Sequence, residues 1–246
     1  MNERSRRLTD QQKVRIIQNA REQNSEIHRK HLEETADARL HYAQAEQPVV
    51  EALRLTGYEV NHIQELYQKY KTYKSAIPIL LKWLPKIAHS DPVAVMQVKQ
   101  TVLHALNNKC AKPEAIRPLI EEFENFKYVE GVNDYMNGSY RWKIGEILAL
   151  IGDSSVADDL FRFIKNRAYG SDRAQLVRGI KNLKDPRAVD VLINLVIDND
   201  LTECAIYALG MLRAKKARPY IEKFLKDSTA SVRQEAKAAI KRIDKE

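Results

Sequence analysis

Cysteine is nearly absent from this chain: Cys110 and Cys204 stand 94 positions apart, and neither belongs to a CxxC pair. That excludes a disulfide scaffold and a zinc finger. Glycine and proline are scarce too, eight of each in 246 residues, and no glycine-rich phosphate loop is among them. Long apolar runs are missing. The longest, Ala76 to Leu81, is six residues with a proline inside it, far short of the roughly 18–20 needed to cross a bilayer. The first residues, Met1 to Arg7, are polar and contain no apolar signal segment, which sets the expectation of a cytosolic protein. No large excess of one charge is present. Against 33 acidic residues stand 41 basic ones, a net +8, and the excess is weighted toward the last third of the chain. A mild surplus of this kind suits an acidic protein or a nucleic acid as partner without demanding either.

What remains is rich in Ala, Leu, Lys, Glu, Gln and Arg, the composition of an all-helical protein. Five segments repeat one pattern, beginning at Ala76, Ala115, Val156, Ala188 and Ala217, with apolar residues at the first, fifth and ninth positions. That is one buried stripe on a helix. A second helix follows each, and these align on Leu106, Ile151, Leu183, Leu212 and Ile243. The last three stripes end in Leu176-Gly179-Ile180-Leu183, Ala205-Ala208-Leu209-Leu212 and Ala236-Ala239-Ile240-Ile243. Links of five residues from Ile151 to Val156, Leu183 to Ala188 and Leu212 to Ala217 force antiparallel neighbours. Small residues at Gly179, Ala208 and Ala239 invite close approach of the next hairpin. A hairpin with one such face must stack on others to bury it.

The stretch LKDSTASVRQEAKAAIKRI, Leu225 to Ile243, resembles the HEAT-like repeats, including those named after phycobilin lyases and found in bacterial proteins of unassigned function. In it Asp227 precedes Arg233 by six residues. The resemblance covers roughly residues 73–246 and is tightest over the last three copies. It implies an α-α superhelix, and it implies that Asp227, Arg233 and the aligned Arg173 and Arg141 form a structural ladder between repeats. The fourth and first copies carry Thr202 and Met96 at that position, so the ladder is partial. The division expected is an N-terminal helical extension over 1–72 and five repeats at about 73–112, 113–152, 153–184, 185–214 and 215–246.

In the extension, Thr9 and Gln12 have capping-box spacing and start a long polar helix running toward Ala45. Pro48 is expected to open a shorter helix, Val49 to Thr56, closed by Gly57, and Asn61 to cap a third, His62 to Lys71. So polar a first helix packs lightly or pairs with a second copy. Between Phe126 and Ser139 the second repeat carries a long connection with Tyr128, Tyr135, Met136 and Tyr140, an aromatic loop that is either a binding surface or an idle insertion.

Chemistry is thin. His28, His31 and Glu34 have spacing for one helical face, but on a polar helix they read as solvated, and no metal or cofactor is expected. Cys204 falls beside an apolar stripe and reads as a packed thiol, whereas Cys110, in a turn, is expected to be exposed. Trp142 and Glu146 echo the separation of an aromatic and an acid in HEAT-like alkylpurine DNA glycosylases, with Glu where those have Asp. The expected function is therefore a non-enzymatic protein-interaction module whose concave groove presents Trp142, Tyr135, Arg178, Lys181 and Lys241. Nucleic-acid binding along the basic second helices is the alternative, with glycosylase activity as its enzymatic form.

Overall fold

The computed structural model describes residues 10–196 and 201–245, with side chains from residue 26 onward except 27, 28 and 31. Among the described residues all regular structure is helical. A 45-residue helix, α1 (Asp10–Arg54), and a short one, α2 (Ile63–Lys69), precede a series of hairpins. These are α3 (Ile77–Trp83) with α4 (Pro92–Leu106), α5 (Ile116–Asn125) with α6 (Asp134–Ile151), and α7 (Ala157–Lys165) with α8 (Ala174–Gly179). They continue with α9 (Ala188–Leu195) and α10 (Thr202–Met211), then α11 (Arg218–Glu222) and α12 (Ala230–Ile243).

The repeat pattern explains the packing. Leu80, Leu119, Leu160, Leu192 and Ile221, the fifth residues of the five segments, are each at most 2% exposed. Each such burial contributes about 1.5–3 kcal/mol. The second helices stack directly, α4 on α6, α6 on α8, α8 on α10 and α10 on α12, while successive first helices approach less closely. The stack therefore curves with the second helices inside. The small residues sit where the inner helices cross. A Cβ on Gly179 would lie 2.0 Å from Ala149 Cβ, and one on Gly210 would lie 2.7 Å from Ala239 Cα. No larger side chain fits either crossing without parting the helices.

The N-terminal third differs from the sequence reading. Pro48 lies inside α1, not at the start of a new helix. Proline removes one backbone donor and crowds the preceding turn, yet Ala45, Val49, Val50 and Leu53 on either side of it are all buried. Their shared face packs on α3 and α4, and that tertiary burial outweighs the local penalty. Gly57 does close the helix, at φ +93°. Asn61 does not cap α2: its side chain accepts a bond from Arg54 at 2.6 Å. Glu46 of α1 takes that role, accepting from Ile63 N at 3.1 Å and meeting His62 at 2.5 Å. Thr9 of the capping box lies outside the described residues, and so do the side chains of Gln12, His28 and His31.

Among the described residues, the aligned arginines bond chiefly within their own hairpins. Arg141 donates to the carbonyls of Phe123 and Phe126, Arg173 to those of Ile164 and Gly170, and Arg233 to those of Asp227 and Ser228. The guanidiniums of Arg141 and Arg173 thus gather carbonyls from the end of the first helix and from the turn that follows it, and that of Arg233 gathers two from the turn. The carboxylate of Asp227 is not the partner of Arg233. It accepts from Thr229 N at 2.8 Å. Among the described residues, Asp172 joins an aligned arginine to the next repeat, 3.3 Å from Arg141. Cys110 is buried, against expectation, because its turn folds under Asn108, which accepts the Cys110 N–H at 2.9 Å.

Candidate functional site

The connection from α5 to α6 is shorter and better fixed than its sequence implied. Helix α6 begins at Asp134, so residues 134–139 are its first turns, not loop. Asn133 caps the helix, accepting from Met136 N at 2.8 Å. Asn137, 1% exposed, grips the loop: it accepts from Val129 N at 2.7 Å and donates to Val132 O at 2.9 Å. A buried amide with its bonds met on both sides pins both segments. Gly131, at φ +79°, turns the loop so tightly against α4 that a Cβ there would lie 3.0 Å from Pro92.

This anchoring raises an aromatic rim around a cleft of about 560 Å³ on the inner face, within the usual range for ligand pockets. Gln100 and His104 of α4, Tyr128 of the loop, Tyr135 and Trp142 of α6, and Asp172 of the next hairpin line it, with Asp134, Ser139 and Lys143. Gly138 forms its floor. A Cβ there would come within 3.3 Å of Tyr128 Oη and 3.5 Å of Asp172 Oδ1, so the glycine keeps space open beneath two oxygen acceptors. Helix α6 is tied to α4 by Gln100, which donates to Ser139 Oγ at 2.8 Å and Met136 O at 3.2 Å. Tyr135 is 84% exposed and Trp142 36%, a large apolar area to leave in water unless something covers it.

The electrostatics are local. Lys143 is held by Glu146 at 2.6 Å and lies 5.6 Å from the Trp142 ring centre. Arg141, packed among Phe123, Phe126 and Tyr169, reaches Asp172 Oδ2. Burial pushes the Asp172 carboxyl above its ordinary range, against the pull of Arg141. Burial and the nearby Lys143 lower His104, opposed by Glu146.

Of the residues expected from sequence, Trp142 and Tyr135 come together in this cleft. Arg178 and Lys181 line a neighbouring hollow of about 380 Å³ between α6, α8 and α10. There Arg178 pairs with Glu203 at 3.2 Å and stacks over Tyr207 at 5.0 Å. Lys181 meets Asn182 at 3.3 Å, and Lys241 stands apart, exposed on α12. Glu146, the acid of the glycosylase-like pair, is occupied by Lys143 and by Asn107 at 3.1 Å. Cys204 is partly covered, and burial pushes its thiol up against the pull of Arg178. Sequence reasoning missed Asp172, Asp134 and Gly138. For Asp172 the signal was its place beside the aligned Arg173; the arginine six residues after it, Arg178, is not one of the aligned positions.

The stacked, inwardly curved hairpins define an all-α helical-hairpin solenoid. Residues 166–241, from the turn before α8 into α12, match the family model of HEAT repeats. No curated protein matches the chain. The HEAT repeats of residues 166–241 thus continue a stack of helical hairpins that begins at α3.

Proposed function

We propose that the protein is a non-enzymatic interaction module that holds a protein partner on its concave face, with the Tyr128–Tyr135–Trp142 cleft as the anchor. HEAT repeats commonly serve as interaction scaffolds. The observation that carries the finer reading is a rigidly built, solvent-open aromatic cleft on the inner helices. Tyrosine and tryptophan held this way are the residues on which binding energy concentrates. The charges nearby support a protein over a polyanion: Arg178, Arg242 and Lys143 are matched by Glu203, Glu235 and Glu146, which interrupts the basic character of the second helices.

The test is affinity purification of the full chain and of a Tyr135→Ala/Trp142→Ala variant at low and high salt. The expected result is a stoichiometric protein retained at high salt and lost from the variant. Nucleic acid recovered at low salt, released by high salt and kept by the variant would establish the alternative reading instead, since phosphate contacts weaken steeply with salt. The exposed Lys241 and the net charge of +8 are what favour that alternative. A glycosylase is the weaker form of it, because Glu146 is already bonded on both oxygens.

Two subsidiary readings accompany the proposal. Both cysteines are free thiols, which supports a reducing, cytosolic setting, and no described helix is long and apolar enough to cross a membrane. Self-association through α1 rests on Leu32 and Leu40, 56% and 54% exposed on that helix. Light scattering of the full chain across concentrations checks it. A monomer mass throughout removes the idea.

A further inference from the structure

The cleft has a chemical preference that a generic interaction surface lacks. Asp172 is only 8% exposed, and its Oδ2 is taken by Arg141. Its Oδ1 faces the cleft beside Tyr128 Oη, above the bare floor of Gly138, and no protein group bonds to it. Asp134, on the same rim, likewise has no hydrogen-bond or ion-pair partner. The cations that reach the cleft are already matched, Lys143 by Glu146 and Arg141 by main-chain carbonyls and Asp172. A molecule of net charge +8 thus keeps one aromatic hollow whose unmatched charges are negative. A buried carboxylate with an open oxygen is costly unless a donor meets it. Aromatic faces alongside attract cations as well.

Resting on the interaction reading above, we propose that the cleft takes a basic side chain, lysine or arginine, presented by an extended segment of the partner, its charged head on Asp172 and Asp134 and its stem against Tyr135 and Trp142. The stem of such a residue is apolar and its head charged, which matches a hollow with aromatic walls and an acidic floor. The cleft opens onto the concave face along which a chain can run, and that favours a side chain on a protein over a free small cation. An anionic ligand is disfavoured by the same two carboxylates.

The experiment is an NMR titration of the full chain, following the indole N–H of Trp142, assigned by comparison with Trp142→Phe. Three probes are used: a short peptide with a central arginine, the same peptide with citrulline in its place, and free spermidine. The arginine peptide is expected to move the Trp142 signal to saturation and to bind about tenfold more tightly than its citrulline twin, a difference of one charge-assisted contact. Asp172→Asn and, independently, the exposed variants Asp134→Asn and Tyr135→Ala should each weaken the arginine peptide and leave the rest of the spectrum folded. Equal binding of the citrulline peptide would overturn the charge preference while leaving the interaction reading intact. Tighter binding of spermidine than of the arginine peptide would overturn the protein source. No shift at Trp142 with any probe would overturn the cleft as a cation site, and retention of the partner by the Tyr135→Ala/Trp142→Ala protein would overturn the interaction reading separately.

Discussion

The last three hairpins and the junction of α4 with α6 use one architecture in opposite ways. Between α6 and α8 and between α10 and α12 the helices cross at Gly179–Ala149 and Gly210–Ala239, so close that no methyl group can be added. At the α4–α6 junction a longer connection, a polar bridge from Gln100 and a glycine floor hold the helices around open space. The α10–α12 crossing falls within the HEAT family match, residues 166–241, and the α6–α8 crossing joins that segment to the hairpin before it. Regular stacking fills the inner face, and a departure from it is what leaves room for a ligand.

Disrupting the junction through its buried charge should have the largest effect. Arg141→Ala strips donors from the carbonyls of Phe123 and Phe126 and leaves Asp172 buried without its cation. The expected loss is about 3–5 kcal/mol in chemical denaturation. A loss below about 1 kcal/mol would show that water replaces the guanidinium. Breaking the regular half comes next. Gly179→Val is expected to cost about 3 kcal/mol, because the new side chain must displace Ala149, and an unchanged denaturation midpoint would contradict the crossing described. Smaller still is Ile240→Ala. This residue is only partly covered in the terminal hairpin, so its cost should fall below the roughly 2–5 kcal/mol of a fully buried site such as Leu209. Smallest is Tyr135→Ala, expected to stay within about 0.5 kcal/mol of the parent while it weakens binding.

A pH series sharpens the same contrast. The groups facing Asp172 and His104 across the cleft are Arg141, Lys143, Glu146, Asp134, Tyr128 and Tyr135. The Asp172 carboxyl has its folded value raised by burial, so it takes up its proton above the ordinary carboxylate range as pH falls, and binding of a cationic peptide declines with it. His104, held below its usual value, gains positive charge only at lower pH and acts in the same direction. Folding responds the other way. A raised folded value means that burying the charged carboxylate is unfavourable, and this cost is relieved as pH drops through that value. Affinity measured against pH should therefore fall on the acid side, and Asp172→Asn should remove the Asp172 part of that fall. A flat profile in the parent would separate Asp172 from binding.

The repeated helical hairpins were legible in the chain because the fifth residue of each repeat segment, from Leu80 to Ile221, is a large aliphatic one and is buried every time. The close crossings were legible as well, in Gly179 and Ala239. Features set by contacts distant in sequence were not. Pro48 reads locally as a helix start, but α3 and α4 hold the helix together through it. The α5–α6 connection reads as loop, but Asn137 turns its second half into helix. The arginine ladder reads as carboxylate pairing, but among the described residues the guanidiniums bond chiefly to main-chain carbonyls, and Asp172, which bridges Arg141 to the next hairpin, is not six residues ahead of an aligned arginine. Trp142 and Tyr135 were visible as exposed aromatics; the cleft that joins them to Asp172 is made by three hairpins meeting, which no single stretch encodes.

The central claim is that the partner sits on the inner face at this cleft. Benzophenone cross-linkers placed at Tyr135 on that face and at Arg117 on the outer helix α5 test it directly in cell lysate. A specific protein adduct from position 135 and none from position 117 is the predicted result. Adducts from position 117 alone, or nucleic acid in place of protein at position 135, would contradict the account.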